Sequence, residues 1–131
     1  MPPDAPARPL RRPLGSAPAQ RLALLPAAAG AGSFLAVLKT FGDVRSPGLM
    51  SFPRPGVTLA LDLPNRGEAT VRLLRQCDGA VRAAGGAVYP AKDACMTPES
   101  FRAFFPQWEA FAEYLDPAFS SSFWRRVTAD A

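Results

Sequence analysis

The stretch VTLALDLPNRGEATVRLLRQCDGAVRAAGG (57–86) decides the fold, because its hydrophobic period changes part-way along. Over residues 57–64, large apolar side chains alternate with small or polar ones, which predicts a β-strand. Over residues 66–86, apolar side chains recur every three or four positions, which predicts an amphipathic helix that ends at Gly85 and Gly86. A strand followed directly by a helix therefore forms the middle of the chain.

The two faces of the predicted strand differ in character. One face carries only large apolar side chains: Val57, Leu59, Leu61 and Leu63. The other face carries Thr58, Ala60 and Asp62. Because successive strand residues point to opposite faces, the second face is small and mixed, and it suits the approach of another group.

A second strand is predicted upstream, in SFLAVLKTFG (33–42). Its β-branched and aromatic residues favour a strand, and alternation places Lys39 and Phe41 on the same face. Three prolines and two glycines make residues 43–56 a loop. Upstream of this strand, residues 20–32 favour a short helix stopped by Gly30 and Gly32 and weakened by Pro26.

Downstream of the helix, AVYPAKD (87–93) predicts a third strand, placed at an edge or a bulge by Pro90. Thr97 then offers a helix N-cap, with Pro98 in the first helical position. Pro106 should divide the following helix into two. An aromatic stripe runs along these helices, and we expect it to pack against the sheet: Phe101, Phe104, Phe105, Trp108, Phe111 and Leu115.

This order of elements predicts an α+β fold, with an antiparallel sheet covered by helices on one face. It matches an incomplete ferredoxin-like βαββαβ arrangement that lacks its first strand. We assign residues 1–19 to a disordered Pro/Ala/Arg-rich tail and residues 20–131 to one folded domain.

Composition excludes several kinds of chemistry. The 131 residues contain no histidine and two cysteines, Cys77 and Cys95, so Cys–His and Ser–His catalysis is impossible and no zinc spacing occurs. We expect no metal site, and we expect both cysteines to be small buried side chains rather than a disulfide.

The net charge is +4, and most of it lies in residues 1–32. No arginine run is interleaved with aromatics, so we expect a solvated tail rather than a nucleic-acid partner. No apolar run reaches the ~18–20 residues of a membrane span, and Pro26 interrupts the apolar part of a possible export signal. The predicted location is cytoplasmic or peripheral to the inner membrane, and no segment argues for membrane association.

Three blocks of the sequence together suggest a family. SFLAVLKTFG (33–42), LMSFPRPGVTLALDLP (49–64) and AGGAVYPAKDACMTPESFRAFFP (84–106) occur in that order. They resemble the C-terminal domain of FAD-linked oxidoreductases of the vanillyl-alcohol oxidase superfamily. The branch most similar is that of the decaprenylphosphoryl-β-D-ribose 2-oxidases, and D-arabinono-1,4-lactone oxidases share the same type of domain.

The resemblance implies roles for six residues. Lys92, one of only two lysines among fifteen basic residues, matches a lysine that reaches both flavin and substrate, and Tyr89 matches an aromatic of the same pocket. Both are candidate catalytic residues, and Lys92 is also a candidate cofactor ligand. Four further residues match substrate-facing positions: Lys39, Phe41, Thr58 and Ala60. A lysine suits such a pocket because its ammonium donates hydrogen bonds and stabilises negative charge on a reduced flavin.

The chain also departs from the family. It has no glycine-rich pyrophosphate loop and no histidine to tether a flavin, so we expect FAD to be held mainly by a domain absent from this chain. The YPAK segment lacks the His–Trp pair that precedes the lysine in many aldonolactone oxidases. The resemblance implies a substrate-side domain of a FAD-linked sugar or lactone oxidoreductase, inactive alone, and either truncated or completed by a separately encoded flavin domain. A non-catalytic binding domain and a gene remnant are the alternatives.

Overall fold

The computed structural model describes residues 25–33, 35–92 and 95–129, with the backbone alone at Lys92. The predicted disordered tail over residues 1–19 lies outside the described residues. Residues 25–28 are helical, and the chain leaves this helix at Gly30, whose φ is 64°. The described part of the predicted first helix is thus confirmed, together with its glycine stop.

Two antiparallel strands form the sheet: β1 (Ala36–Phe41) and β2 (Gly56–Leu61). Both strands are confirmed, and the loop between them covers residues 42–55. The register pairs Ala36 with Leu61 and Phe41 with Gly56. Next to the strands, the Asp62 amide donates to the Ser33 hydroxyl at 3.0 Å and to the Leu35 carbonyl at 3.2 Å, which extends the pairing beyond the sheet.

The predicted long helix is α1 (Glu68–Ala83). It begins after Gly67 and ends before Gly85, both with a φ of 67°, a left-handed conformation that glycine adopts without steric cost. Leu73 and Asp78 are its buried residues, whereas Val71, Leu74 and Cys77, three of the apolar residues that recur at the predicted helical spacing, are half-buried. The helix was correctly predicted, and its two buried residues flank the expected apolar stripe on either side.

The predicted third strand is wrong over its described residues. Residues 86–89 form no strand, and Pro90–Lys92 form a turn of 3-10 helix. Ala87 and Val88 pack against the helical core instead of pairing with β1 or β2. Their apolar character therefore serves helix packing, and Pro90, which lacks an N–H for a ladder, begins the turn.

Three short helices follow: α2 (Pro98–Phe104), α3 (Trp108–Ala112) and α4 (Ser122–Thr128). The Thr97 hydroxyl accepts the Ser100 amide at 3.2 Å, which confirms the predicted N-cap. Pro106 lies between α2 and α3, as predicted. The Ser121 hydroxyl caps α4 in the same way by accepting the Trp124 amide at 3.0 Å.

The buried core lies among the helices and the segments that join them. Its central cluster consists of Met96, Phe101, Phe104, Phe105 and Val127. The Phe101 ring packs against both Phe123 and Trp124 of α4, with centroids 5.8 and 5.9 Å away. The aromatic stripe does form a core, but the prediction that it packs against the sheet is wrong, because α4 covers it.

The α+β class and the antiparallel sheet are confirmed. In the described part of the chain the sheet has two strands, and neither strand contributes a residue to the buried core. Across the same residues, no helix is both long and apolar enough to span a membrane.

Candidate functional site

Four predicted site residues lie on one face of the sheet. The register places Lys39 opposite Thr58 and Val37 opposite Ala60, and Phe41 lies opposite Gly56. Residues directly opposite each other in an antiparallel pair share a face, and so do alternate residues along one strand. Val37, Lys39, Phe41, Thr58 and Ala60 therefore form a single surface, which we call the Lys39 face.

The Lys39 face is open in the described structure. Lys39 and Ala60 are exposed, and Phe41 and Thr58 are half-buried. The face combines one ammonium, one hydroxyl and apolar side chains. It can donate hydrogen bonds from Lys39 and Thr58 while packing a flat or ring-shaped group against Val37 and Phe41.

The opposite face of the sheet has no ionisable group. It carries Ala36, Leu38 and Thr40 from β1, with Val57, Leu59 and Leu61 from β2. Leu38 is 64% exposed, although a leucine on the apolar face of a sheet is normally covered. The two faces therefore differ in chemistry, and the ammonium of Lys39 distinguishes them.

Tyr89 and Lys92 belong to a separate segment. Tyr89 is 55% exposed, and its ring lies edge-on to Phe52, with centroids 5.3 Å apart and planes at 62°. Lys92 closes the Pro90–Lys92 turn, and its side chain lies outside the described part of the structure, as does Asp93. The ring contact joins the segment that carries Tyr89 and Lys92 to the loop that leads into β2.

Sequence reasoning missed a polar cluster between α1 and α2. A surface cavity of about 200 Å³ is lined by Arg75, Asp78, Gly79, Arg82, Thr97, Glu99 and Ser100. Within it the Arg82 guanidinium lies 3.0 Å from the Glu99 carboxylate and donates to the Ser100 hydroxyl at 3.3 Å. The buried Asp78 was the available signal, since an acidic residue beside the apolar stripe of a helix implies a local partner.

The surroundings of Cys77 disfavour its thiolate form. Burial raises the pKa of the Cys77 thiol above its ordinary value, and the neighbouring Asp78 carboxylate adds to the shift. The neutral thiol is the unreactive form. Both cysteines are free thiols, and within the described residues no group of three or more His, Cys, Asp or Glu side chains could hold a metal ion.

Comparison with known proteins places this chain near an oxidase. An uncharacterized protein in the mprA 5' region of Streptomyces coelicolor is 42% identical over 96 residues, which cover 70% of this chain and 26% of that protein. Decaprenylphosphoryl-β-D-ribose oxidase of Mycolicibacterium smegmatis is 35% identical over 100 residues, which cover 72% of this chain and 21% of the oxidase. No family model matches the chain.

The similarity to the M. smegmatis oxidase supports the resemblance seen in the motifs, and the chain is distantly related to this oxidase. The chain matches only about a quarter of the length of these curated relatives. Most of the length of each relative therefore lies outside the region that matches this chain.

Proposed function

We propose that this chain is the substrate-side part of a FAD-linked oxidoreductase that acts on a sugar or an aldonolactone. The observation that carries the proposal is the Lys39 face, because four residues chosen from sequence for contact with substrate share one open surface. The distant relationship to a decaprenylphosphoryl-β-D-ribose oxidase supports the reaction class.

The Lys39 face fits one part of a flavin cofactor. Apolar side chains beside an ammonium suit the surface of a flat ring that gains negative charge on reduction. The dinucleotide pyrophosphate needs a different element, such as a G-x-G-x-x-G loop, and the sequence contains none. The chain would therefore cover a flavin whose phosphates are held by a different part of the enzyme.

Each residue then has a defined task in the proposed site. Bound FAD would supply the acceptor for a hydride leaving a sugar carbon. Lys39 would donate a hydrogen bond to a substrate hydroxyl, with Thr58 as a second polar contact. Phe41 and Ala60 would pack against the sugar ring. Tyr89 and Lys92 would orient the substrate, and an ammonium at Lys92 would also stabilise the reduced cofactor.

A chimera tests the proposal. The matched segment of the M. smegmatis oxidase would be replaced by this chain, and oxidation of decaprenylphosphoryl-ribose would be followed together with flavin absorption. We expect measurable turnover, a loss of about 100-fold in kcat/KM for Lys39→Met, and little change for the control Arg72→Met. Arg72 is an exposed residue of α1 outside the proposed site.

The isolated chain provides the complementary test. We expect it to be purified without a visible flavin band and to oxidise no sugar lactone. A coloured, active preparation of the chain alone would contradict the need for a separate flavin domain. A folded chimera that holds flavin but shows no turnover would argue against the substrate-side assignment.

A non-catalytic binding domain is the second candidate. It is favoured by the apolar residues that the sheet leaves in solvent, with Leu35 51% exposed and Leu38 64% exposed. Surfaces of this kind mark contact with another molecule. An inactive chimera, combined with specific retention of one partner by the isolated chain, would favour this candidate.

A further inference from the structure

The loop before β2 makes three contacts that connect the parts of the proposed site. Met50 packs against the buried core. Two residues later, the Phe52 ring meets the Tyr89 ring. Two residues later again, Arg54 Nη2 donates a hydrogen bond to the Phe104 carbonyl oxygen. One short stretch, residues 50–54, thus contacts the core, the Tyr89 segment and the end of α2.

The Arg54 contact anchors β2 to the helices. Phe104 is the last residue of α2 and is fully buried. The last four carbonyls of a helix lack partners within the helix, so the guanidinium supplies a donor where one is needed. Because Gly56 begins β2 only two residues after Arg54, this hydrogen bond sets where the strand leaves the helical part of the molecule.

The Phe52 contact anchors the same strand to the Lys92 turn. Tyr89 directly precedes Pro90–Lys92, and Phe52 lies four residues before β2. Edge-to-face ring pairs have a preferred geometry and resist sliding more than aliphatic contacts do. The pair therefore relates the start of β2 to the start of the turn.

Such anchoring matters because, among the described residues, the sheet packs little against the helices. A two-stranded sheet alone is marginally stable, and neither strand contributes to the buried core. A long connecting loop without anchors would let the hairpin move relative to the helices. The placement of the Lys39 face then depends on the contacts of residues 50–54.

We infer that Phe52 and Arg54 are positioning residues. They hold the Lys39 face in a fixed position relative to Tyr89 and the Pro90–Lys92 turn. The inference rests on the proposed function for its catalytic meaning. Neither residue is assigned a contact with substrate or flavin. They act through β2 and through Tyr89, so their loss would misplace the site while leaving the helical core intact.

Nuclear magnetic resonance on the full chain tests the placement without any flavin. In Arg54→Ala and Phe52→Leu we expect shifted Tyr89 ring signals and shifted amides over residues 57–61. We also expect amide exchange in the hairpin to rise about tenfold, the effect of losing a charge-assisted hydrogen bond. The Trp108 and Trp124 indole signals should stay in place. Arg54→Lys, which keeps a donor, should restore most of the wild-type spectrum, and Arg72→Ala serves as the control.

Two NMR results would overturn the inference. One is an Arg54→Ala spectrum with unchanged Tyr89 and β2 signals. The other is an equal disturbance of the hairpin and the indole signals, which would mean a general structural role. In an active chimera, Arg54→Ala should lower kcat more than it changes KM, and Arg54→Lys should restore kcat. Unchanged kinetics in Arg54→Ala would also count against the inference. A folded wild-type chimera that holds flavin but shows no turnover would overturn the proposed function, whereas the NMR result tests the positioning of the hairpin independently of that function.

Discussion

The hairpin and the helical part of this molecule have similar local composition but opposite fates. AVLKTF of β1 and SFRAFF around α2 are both rich in aromatic or aliphatic residues. Yet five of the six β1 residues are exposed, whereas Phe101, Phe104 and Phe105 are almost completely buried. The difference teaches that apolar character marks a surface that needs a partner. For α2 the partner is α4, whereas no strand residue belongs to the buried core of the described structure.

The largest expected effect separates the two regions directly. Phe104→Ala should lower the free energy of unfolding by about 3–5 kcal/mol, because it removes a fully buried ring and leaves a cavity. Leu38→Ala in the hairpin should change it by less than about 0.5 kcal/mol, because the side chain is already largely exposed. Urea denaturation measures both. Equal losses would mean that the hairpin belongs to the same cooperative core.

Helix capping gives a smaller contrast. Thr97→Ala should cost about 1 kcal/mol, since the hydroxyl caps the helix that carries the buried rings. Thr97→Ser keeps the acceptor and should cost much less. In the hairpin, Ser33→Ala removes an acceptor for the Asp62 amide but should barely alter the thermal midpoint. A loss of stability from Ser33→Ala as large as that from Thr97→Ala would contradict the expected difference between the hairpin and the helical part.

The pH dependence of the protein's thermal stability should show a contribution from Cys77 in α1. Burial raises the pKa of this thiol above its ordinary value of 9.0, so the folded state keeps its proton more strongly than the unfolded state does. The resulting stability is present below the ordinary pKa and is lost as the pH rises through the folded pKa. Thermal midpoints from neutral pH to about pH 10 should therefore fall more steeply in the wild type than in Cys77→Ala. Parallel curves would contradict this assignment.

The smallest expected effect concerns the ion pair between α1 and α2. Arg82 and Glu99 are 3.0 Å apart, but the Glu99 side chain is 76% exposed. Glu99→Gln should cost about 0.5 kcal/mol or less, because solvent screens such pairs. The difference should vanish near 1 M salt, where the Debye length is about 3 Å. A loss that persists in high salt would show that the pair positions the two helices.

Local signals in the sequence predicted α1, α2 and α3 but not α4. The N-cap at Thr97, the break at Pro106 and the glycine end of α1 at Gly85 all depend on interactions within a few residues, and all are confirmed. The third strand was predicted wrongly because apolar residues at Ala87 and Val88 suit a strand and a helix-packed segment equally well. Only the packing partner that these residues meet in the folded chain distinguishes a strand from a helix-packed segment.

The candidate site was predictable in part. Alternation along each strand placed Lys39 with Phe41 and Thr58 with Ala60, but alternation says nothing about how two strands pair. A shift of one residue in the register would have put Lys39 and Thr58 on opposite faces. The structure brings the four residues onto one face. The roles of all six site residues stay predictions, as do the domain boundaries and the flavin partner.

The sequence by itself determined where β1, β2, α1, α2 and α3 lie, which chemistries are excluded and which oxidase the chain resembles, because these depend on composition and on neighbours along the chain. Only the tertiary structure decided that α4 covers the aromatic stripe, that Ala87 and Val88 join the helical core and that Phe52 meets Tyr89. These contacts join residues far apart in sequence, and their selection depends on competition for burial across the whole chain. The segment YPAK illustrates both: its residues suggested a family, but packing made it a turn.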